Sequence, residues 1–115
     1  MNTSSIKIDV ELDANRIPEA IRWNASDSSS EDPKNAKALM LAFWDGADKA
    51  ALRIDLWTKE MMVDEMGDFY YQTLMTMADT FQRATRQDLL VNELREFAKS
   101  FYTKFRDSQL KENKL

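Results

Sequence analysis

Ile6, Ile8, Val10 and Leu12 alternate with Lys7, Asp9 and Glu11. That period of two predicts a strand with one buried and one wet face. Asp13-Ala14-Asn15 is turn chemistry. Ile17, Ile21, Trp23 and Ala25 then define the apolar face of a second strand, with Pro18 near its start, where a missing donor does little harm. Leu39 to Trp44 is a continuous apolar run, and Leu52 to Trp57 alternates again. Between them Asp45-Gly46 signals a hairpin turn, from residues that tolerate positive φ. In the third strand Met40, Ala42 and Trp44 point one way and Leu39, Leu41 and Phe43 the other, so both faces ask for cover.

From about Val63 the period becomes 3.6. Val63, Met66, Phe69, Tyr70, Thr73, Leu74, Met77, Phe81 and Ala84 form one stripe, and Leu90, Leu94, Phe97, Phe101 and Phe105 a second. A single helix of both would run roughly 75 Å at 1.5 Å per residue. The two stripes are out of phase, however. The pattern therefore breaks near 86–88, with Asp88 as N-cap. The expected fold is α+β: about four antiparallel strands over 5–58, in meander order or a close variant. A C-terminal two-helix hairpin, helices 62–86 and 88–112, packs on one sheet face. Residues 26–33, SDSSSEDP, are the one low-complexity stretch. They read as part of a mobile loop over 26–36, or as the entry to a short helical turn through Ala36. Neither flank could fold alone, so 1–115 is expected to be a single domain.

Composition narrows the chemistry. With 43% hydrophobic residues, two Gly and two Pro, the chain is globular in type. It has no Cys and no His, which removes thiolate metal sites, a Cys nucleophile, the commonest general base and the His-based triad. Two glycines 21 residues apart, Gly46 and Gly67, allow no phosphate-binding glycine motif. The net charge is −4, with 14 acids against 8 bases in residues 1–68 and 6 against 8 in residues 69–115. An acidic chain without an aromatic-interleaved basic patch does not suit nucleic acid. No basic start, no signal-length apolar run and no span of about 18 apolar residues occurs. A cytoplasmic protein without direct membrane insertion is expected.

Three groups of residues remain as candidate chemistry. Asp55, Glu60, Asp64 and Glu65 could be a carboxylate pair for hydrolysis or a hard-cation site. Their spacing matches no calcium loop, and acids belong in the first turn of a helix. Met61, Met62, Met66, Met75 and Met77 could line an adaptable peptide groove, or fill a core at helical spacing. Gly67 lies inside the first helix at a cost of about 1 kcal/mol relative to Ala, which points to close packing there. The third group is the surface expected to act. Leu39, Leu41 and Phe43 are placed with Arg53, Asp55 and Trp57 on the sheet face that the helices leave uncovered, while Leu52, Ile54 and Leu56 go inward. A contiguous exposed apolar patch is usually a protein interface.

Several segments carry a family resemblance: IKIDVELDANRIPEAIRWNASD (6–27), KALMLAFWDG (37–46), LRIDLWTKEMMVDEM (52–66) and FYYQTLMTMADTFQRAT (69–85). They resemble the GldC family of gliding-motility proteins of Bacteroidetes, from about Ile6 to Phe105. Members of this kind typically carry proline where Met62 stands and glycine where Arg86 stands. The resemblance implies a small cytoplasmic accessory protein of the gliding apparatus, with no known catalytic activity, no catalytic residues and no cofactor. The strand–helix order is also similar to that of the export chaperone SecB, a likeness of fold alone. The expected function is thus a non-catalytic assembly protein of gliding motility. It would bind protein partners of that apparatus through the uncovered face and form a homo-oligomer. A chaperone-like peptide-binding module is the alternative, and a carboxylate hydrolase a remote one.

Overall fold

Seven elements follow one another in the computed structural model, which describes residues 2–26 and 32–113. They are β1 (Ile6–Leu12), β2 (Pro18–Ala25), β3 (Lys34–Ala36), β4 (Ala38–Asp45), β5 (Ala50–Trp57), α1 (Val63–Thr85) and α2 (Asp88–Asn113). The fold is α+β, with antiparallel strands followed by two helices. The chain divides into two compact units, residues 1–61 and 62–115.

In the strand unit, β1 pairs with β2 and β2 with β3; β4 pairs with β5 in a second sheet. This corrects the single four-stranded sheet expected above. It also corrects the loop or helical turn expected through Ala36, since Lys34–Ala36 is the strand β3, paired to Ile21–Trp23. The polar residues 27–31 lie outside the described residues. Lys37 alone separates β3 from β4. The carbonyl of Lys37 accepts both the backbone N–H and the hydroxyl of Thr58, at 2.8 and 3.0 Å, which latches the end of β5 to this joint. Thr58 is buried as a result.

The alternation in β1 and β2 puts the apolar residues on one face as expected, but Ile6, Leu12 and Trp23 on that face stay exposed. Val10 stands opposite Ile21, Ile8 opposite Trp23, and Ala36 continues the row on β3. Ile21, on the central strand, is the one fully buried large side chain of this unit among the described residues. The other face is ionic: Arg22 bonds Glu11 at 2.7 Å, and Lys7 lies 3.7 Å from Asp9. A register shift between Glu11 and Leu12 puts Leu12 opposite Pro18, so proline enters at an irregular end of the ladder.

In the helical unit, the phase shift read from the sequence coincides with a two-residue break between Thr85 and Asp88. Arg86 takes the left-handed conformation, φ 57°, and its N–H donates to Gln82 O. That position usually holds glycine. Asp88 is the first helical residue rather than the N-cap; Gln87 stands at the cap, its carbonyl accepting from Val91 N–H. The Asp88 carboxylate instead takes a hydrogen bond from the Gln82 side chain across the break. The seam between the helices is also narrower than the large apolar stripes implied. Gly67, Ala78, Val91 and Ala98 are its buried residues, and Tyr71 stacks on Tyr102 at 4.5 Å. A Cβ at Gly67 would overlap the Phe105 ring, so the glycine marks close packing. Phe97, Tyr70 and Met77 of the predicted stripes stay exposed.

Candidate functional site

The β4–β5 hairpin begins at its turn. Asp45 Oδ1 accepts the N–H groups of Ala47 (2.9 Å) and Asp48 (3.4 Å), folding residues 46–49 over the hairpin end. Positive φ falls on Lys49 (53°) and not on Gly46, contrary to the expectation for Asp-Gly. With Asp45 opposite Ala50, the whole ladder is set: Phe43 faces Leu52, Leu41 faces Ile54, Leu39 faces Leu56, Met40 faces Asp55 and Ala42 faces Arg53.

Residues directly opposite in an antiparallel pair share a face. The register therefore splits the six expected surface residues. Leu39, Leu41 and Phe43 lie with Leu52, Ile54 and Leu56. Arg53, Asp55 and Trp57 lie on the other face with Met40, Ala42 and Trp44. The expectation that Phe43 and Trp57 share one surface is overturned by this register. The physical reason is parity: one residue more or less in the turn exchanges the faces of a whole strand.

What the hairpin offers instead is exposure on both sides. Phe43 (56%), Leu52 (55%) and Ile54 (51%) are open on the first face, and Trp44 (69%) and Trp57 (60%) on the second. Leu52 and Ile54 were expected to go inward and are exposed. Toward its base the hairpin is better covered. Leu39 and Met40 are half-buried and, with Ala38, border an apolar cleft of about 230 Å³ whose other wall is Ile6, Ile8, Ile21 and Trp23. The charges on the second face satisfy each other, with Arg53 Nε and Nη2 donating to the two Asp55 oxygens at 3.0 and 2.8 Å. That bidentate bond gives Asp55 a structural task.

The other candidate groups do not converge. The Glu65 carboxylate accepts the Met62 N–H at the start of α1 (3.1 Å), and Asp64 Oδ1 accepts the Glu65 N–H (2.9 Å). Both acids sit in the first turn, where the helix dipole favours them. Among the described residues no three acids are grouped to hold a metal ion. The methionines divide as well. Met66 and Met77 fall within about 20° of each other around α1 at 3.6 residues per turn, whereas Met75 points the opposite way. Among the described residues no helix is long and apolar enough to cross a membrane.

A protein-family model described as gliding motility-associated protein GldC-like matches residues 18–107, more than half of the chain and including β2 to β5, α1 and most of α2. No curated protein and no solved structure matches.

Proposed function

The chain belongs to the GldC-like family, and we propose that it is a non-catalytic, cytoplasmic accessory and assembly protein of the gliding-motility machinery. It works by protein–protein interaction through the β4–β5 hairpin, as a homo-oligomer. One observation carries the reading: a two-stranded ribbon with Phe43, Leu52 and Ile54 open on one face and Trp44 and Trp57 on the other. An isolated two-stranded ribbon is marginal in water, and a patch of this kind gains by being covered. Large aromatic side chains at the tip are the residue types that anchor protein interfaces.

Genetic complementation tests it. In a gliding bacterium lacking its own copy of the gene, the wild-type chain restores colony spreading. Phe43→Ser with Trp44→Ser, expressed at normal abundance, does not. Spreading equal to wild type with the double variant would remove the hairpin from the function.

A further inference from the structure

We propose that two copies of this chain pair antiparallel along the open edge of β4, about a two-fold axis at Leu41, joining two hairpins into one four-stranded sheet. The proposal rests on the reading that the hairpin is an interaction surface, and it names the occupant as a second copy.

The backbone supplies the first argument. Thr58 N–H donates to Lys37 O, so residues 37 and 58 form a bonded pair. Bonded pairs recur at every second residue of an antiparallel ladder, here 39 with 56, 41 with 54 and 43 with 52. The N–H and C=O groups of Ala38, Met40, Ala42 and Trp44 therefore point away from β5. Among the described residues, no strand pairs with that edge. The usual protections of a free edge are also missing: from Ala38 to Trp44 there is no charge and no proline. The outer edge of β5 differs, because it carries the bonded Arg53 and Asp55.

Side chains supply the second argument and select the register. With the axis at Leu41, Lys37 of each copy stands opposite Asp45 of the other, giving two ion pairs at the ends of an uncharged seven-residue core. Met40 meets Ala42, and Trp44 meets Ala38, large against small on one face. Leu39 meets Phe43 and Leu41 meets itself on the other face. Moving the axis one residue to Ala42 sets Trp44 against Met40 and Lys37 opposite Ala47. Moving it to Met40 sets Lys37 opposite Phe43. The Leu41 axis alone, of the three, matches charge and size together.

The absence of Cys in the chain makes cross-linking specific. At the proposed axis, residues 41 of the two copies form a non-bonded pair with Cα atoms about 4.5 Å apart. That is inside the disulfide range of about 4.4–6.8 Å. Leu41→Cys should form a disulfide dimer under mild oxidation roughly tenfold faster than Ile54→Cys, for which the required approach is absent. Ile54 is the right control, since it lies directly opposite Leu41 on the same face and would occupy the axis of a β5-edge pairing. Ala42→Pro removes an outward N–H and leaves the β4–β5 ladder bonds in place. It should keep the wild-type circular dichroism yet sediment as a monomer where the wild type is a dimer. Lys37→Glu turns two attractions into repulsions and should weaken the dimer roughly tenfold.

Equal or faster linkage through Ile54→Cys would overturn the proposal, as would a dimeric Ala42→Pro or a monomeric wild type at high micromolar concentration. The two readings fail separately. A monomeric wild type whose tip variant cannot support gliding loses the edge pairing and the homo-oligomer, and leaves the hairpin as the surface that binds a partner. A dimeric wild type whose tip variant glides normally loses only the functional reading.

Discussion

The two β-hairpins of this chain start alike and finish differently. Each turn is opened by an aspartate whose Oδ1 accepts two backbone N–H groups: Asn15 and Ile17 for Asp13, Ala47 and Asp48 for Asp45. Each turn holds one non-glycine residue at positive φ, Arg16 at 64° and Lys49 at 53°. Beyond the turns they part. β1–β2 gains a third strand, buries Ile21 and covers its other face with ion pairs. Among the described residues β4–β5 gains no third strand, and it carries large apolar side chains on both exposed faces. Turn chemistry is enough to make a hairpin. Whether the hairpin is finished depends on what its faces and edges can find.

The strongest way to break this comparison is to truncate one isoleucine in each hairpin. Ile21→Ala should cost about 2–5 kcal/mol, the range for a buried aliphatic side chain. Ile54→Ala, at an exposed position, should cost less than about 1 kcal/mol in the monomer. Urea titration of both variants measures the gap, and equal losses would mean that β4–β5 is as well packed as its neighbour.

Next come the two aspartates. Asp45→Ala should lower stability by about 1 kcal/mol, for two turn hydrogen bonds of ordinary strength. Asp13→Ala should lower it further. Asp13 holds its own turn and also takes the Lys59 ammonium at 2.5 Å, tying β1–β2 to the residue after β5's latch. Parallel thermal melts check the order, and a reversed order would assign Asp13 to its turn alone.

A smaller effect separates the turn residues themselves. Gly46 has no positive φ, and a Cβ there meets nothing within 4 Å. Gly46→Ala should therefore raise stability by about 0.4–1 kcal/mol, mainly by restricting the unfolded chain. Lys49→Gly, at the position that does need positive φ, should be stabilising by a few tenths, about 0.5 kcal/mol. A loss in either variant would contradict the backbone described for this turn.

Acidity should act most visibly on β1–β2. Hydrogen bonding from Arg22 holds the Glu11 carboxyl below its ordinary 4.5. Lys59, then the Ile17 N–H, holds Asp13 below its ordinary 3.8. A carboxylate depressed on folding contributes fully above its ordinary value and loses its contribution as pH falls through the lower folded value. The partner cations are raised, Lys59 above its ordinary 10.5, so their share is complete below that value and lost only as pH rises through the folded one. The urea midpoint should be level from about pH 5 to about pH 10 and fall below about pH 4. The Arg22–Glu11 pair is open to solvent and screened, so its share of the slope is shallow, while the Asp13 carboxylate is mostly covered and carries more of it. Glu11→Gln should flatten it further.

Much of this molecule was legible along the chain because much of it is local. Alternation from Ile6 to Leu12 needs no partner to be read as a strand, and the phase jump between Phe81 and Leu90 shows where one helix must stop. Asp13 and Asp45 bond groups two to four residues away, so their turns are also local. The helix seam was less legible. Gly67 alone signalled close packing; Ala78 and Ala98 are too small to stand out in a hydrophobic stripe, yet they too are buried in the seam.

Except for the short strand β3, which has no period of its own to read, the type and order of the elements were therefore determined by the sequence itself, through period and turn chemistry. The tertiary structure alone decided which strand faces coincide. Leu41 stands beside Ile54, and Trp44 beside Ala51, because Asp45 pairs with Ala50 across a four-residue turn. A period of two tells which residues of one strand point together. It says nothing of which set on the next strand joins them until the ladder has closed, because a shift of a single residue exchanges the faces.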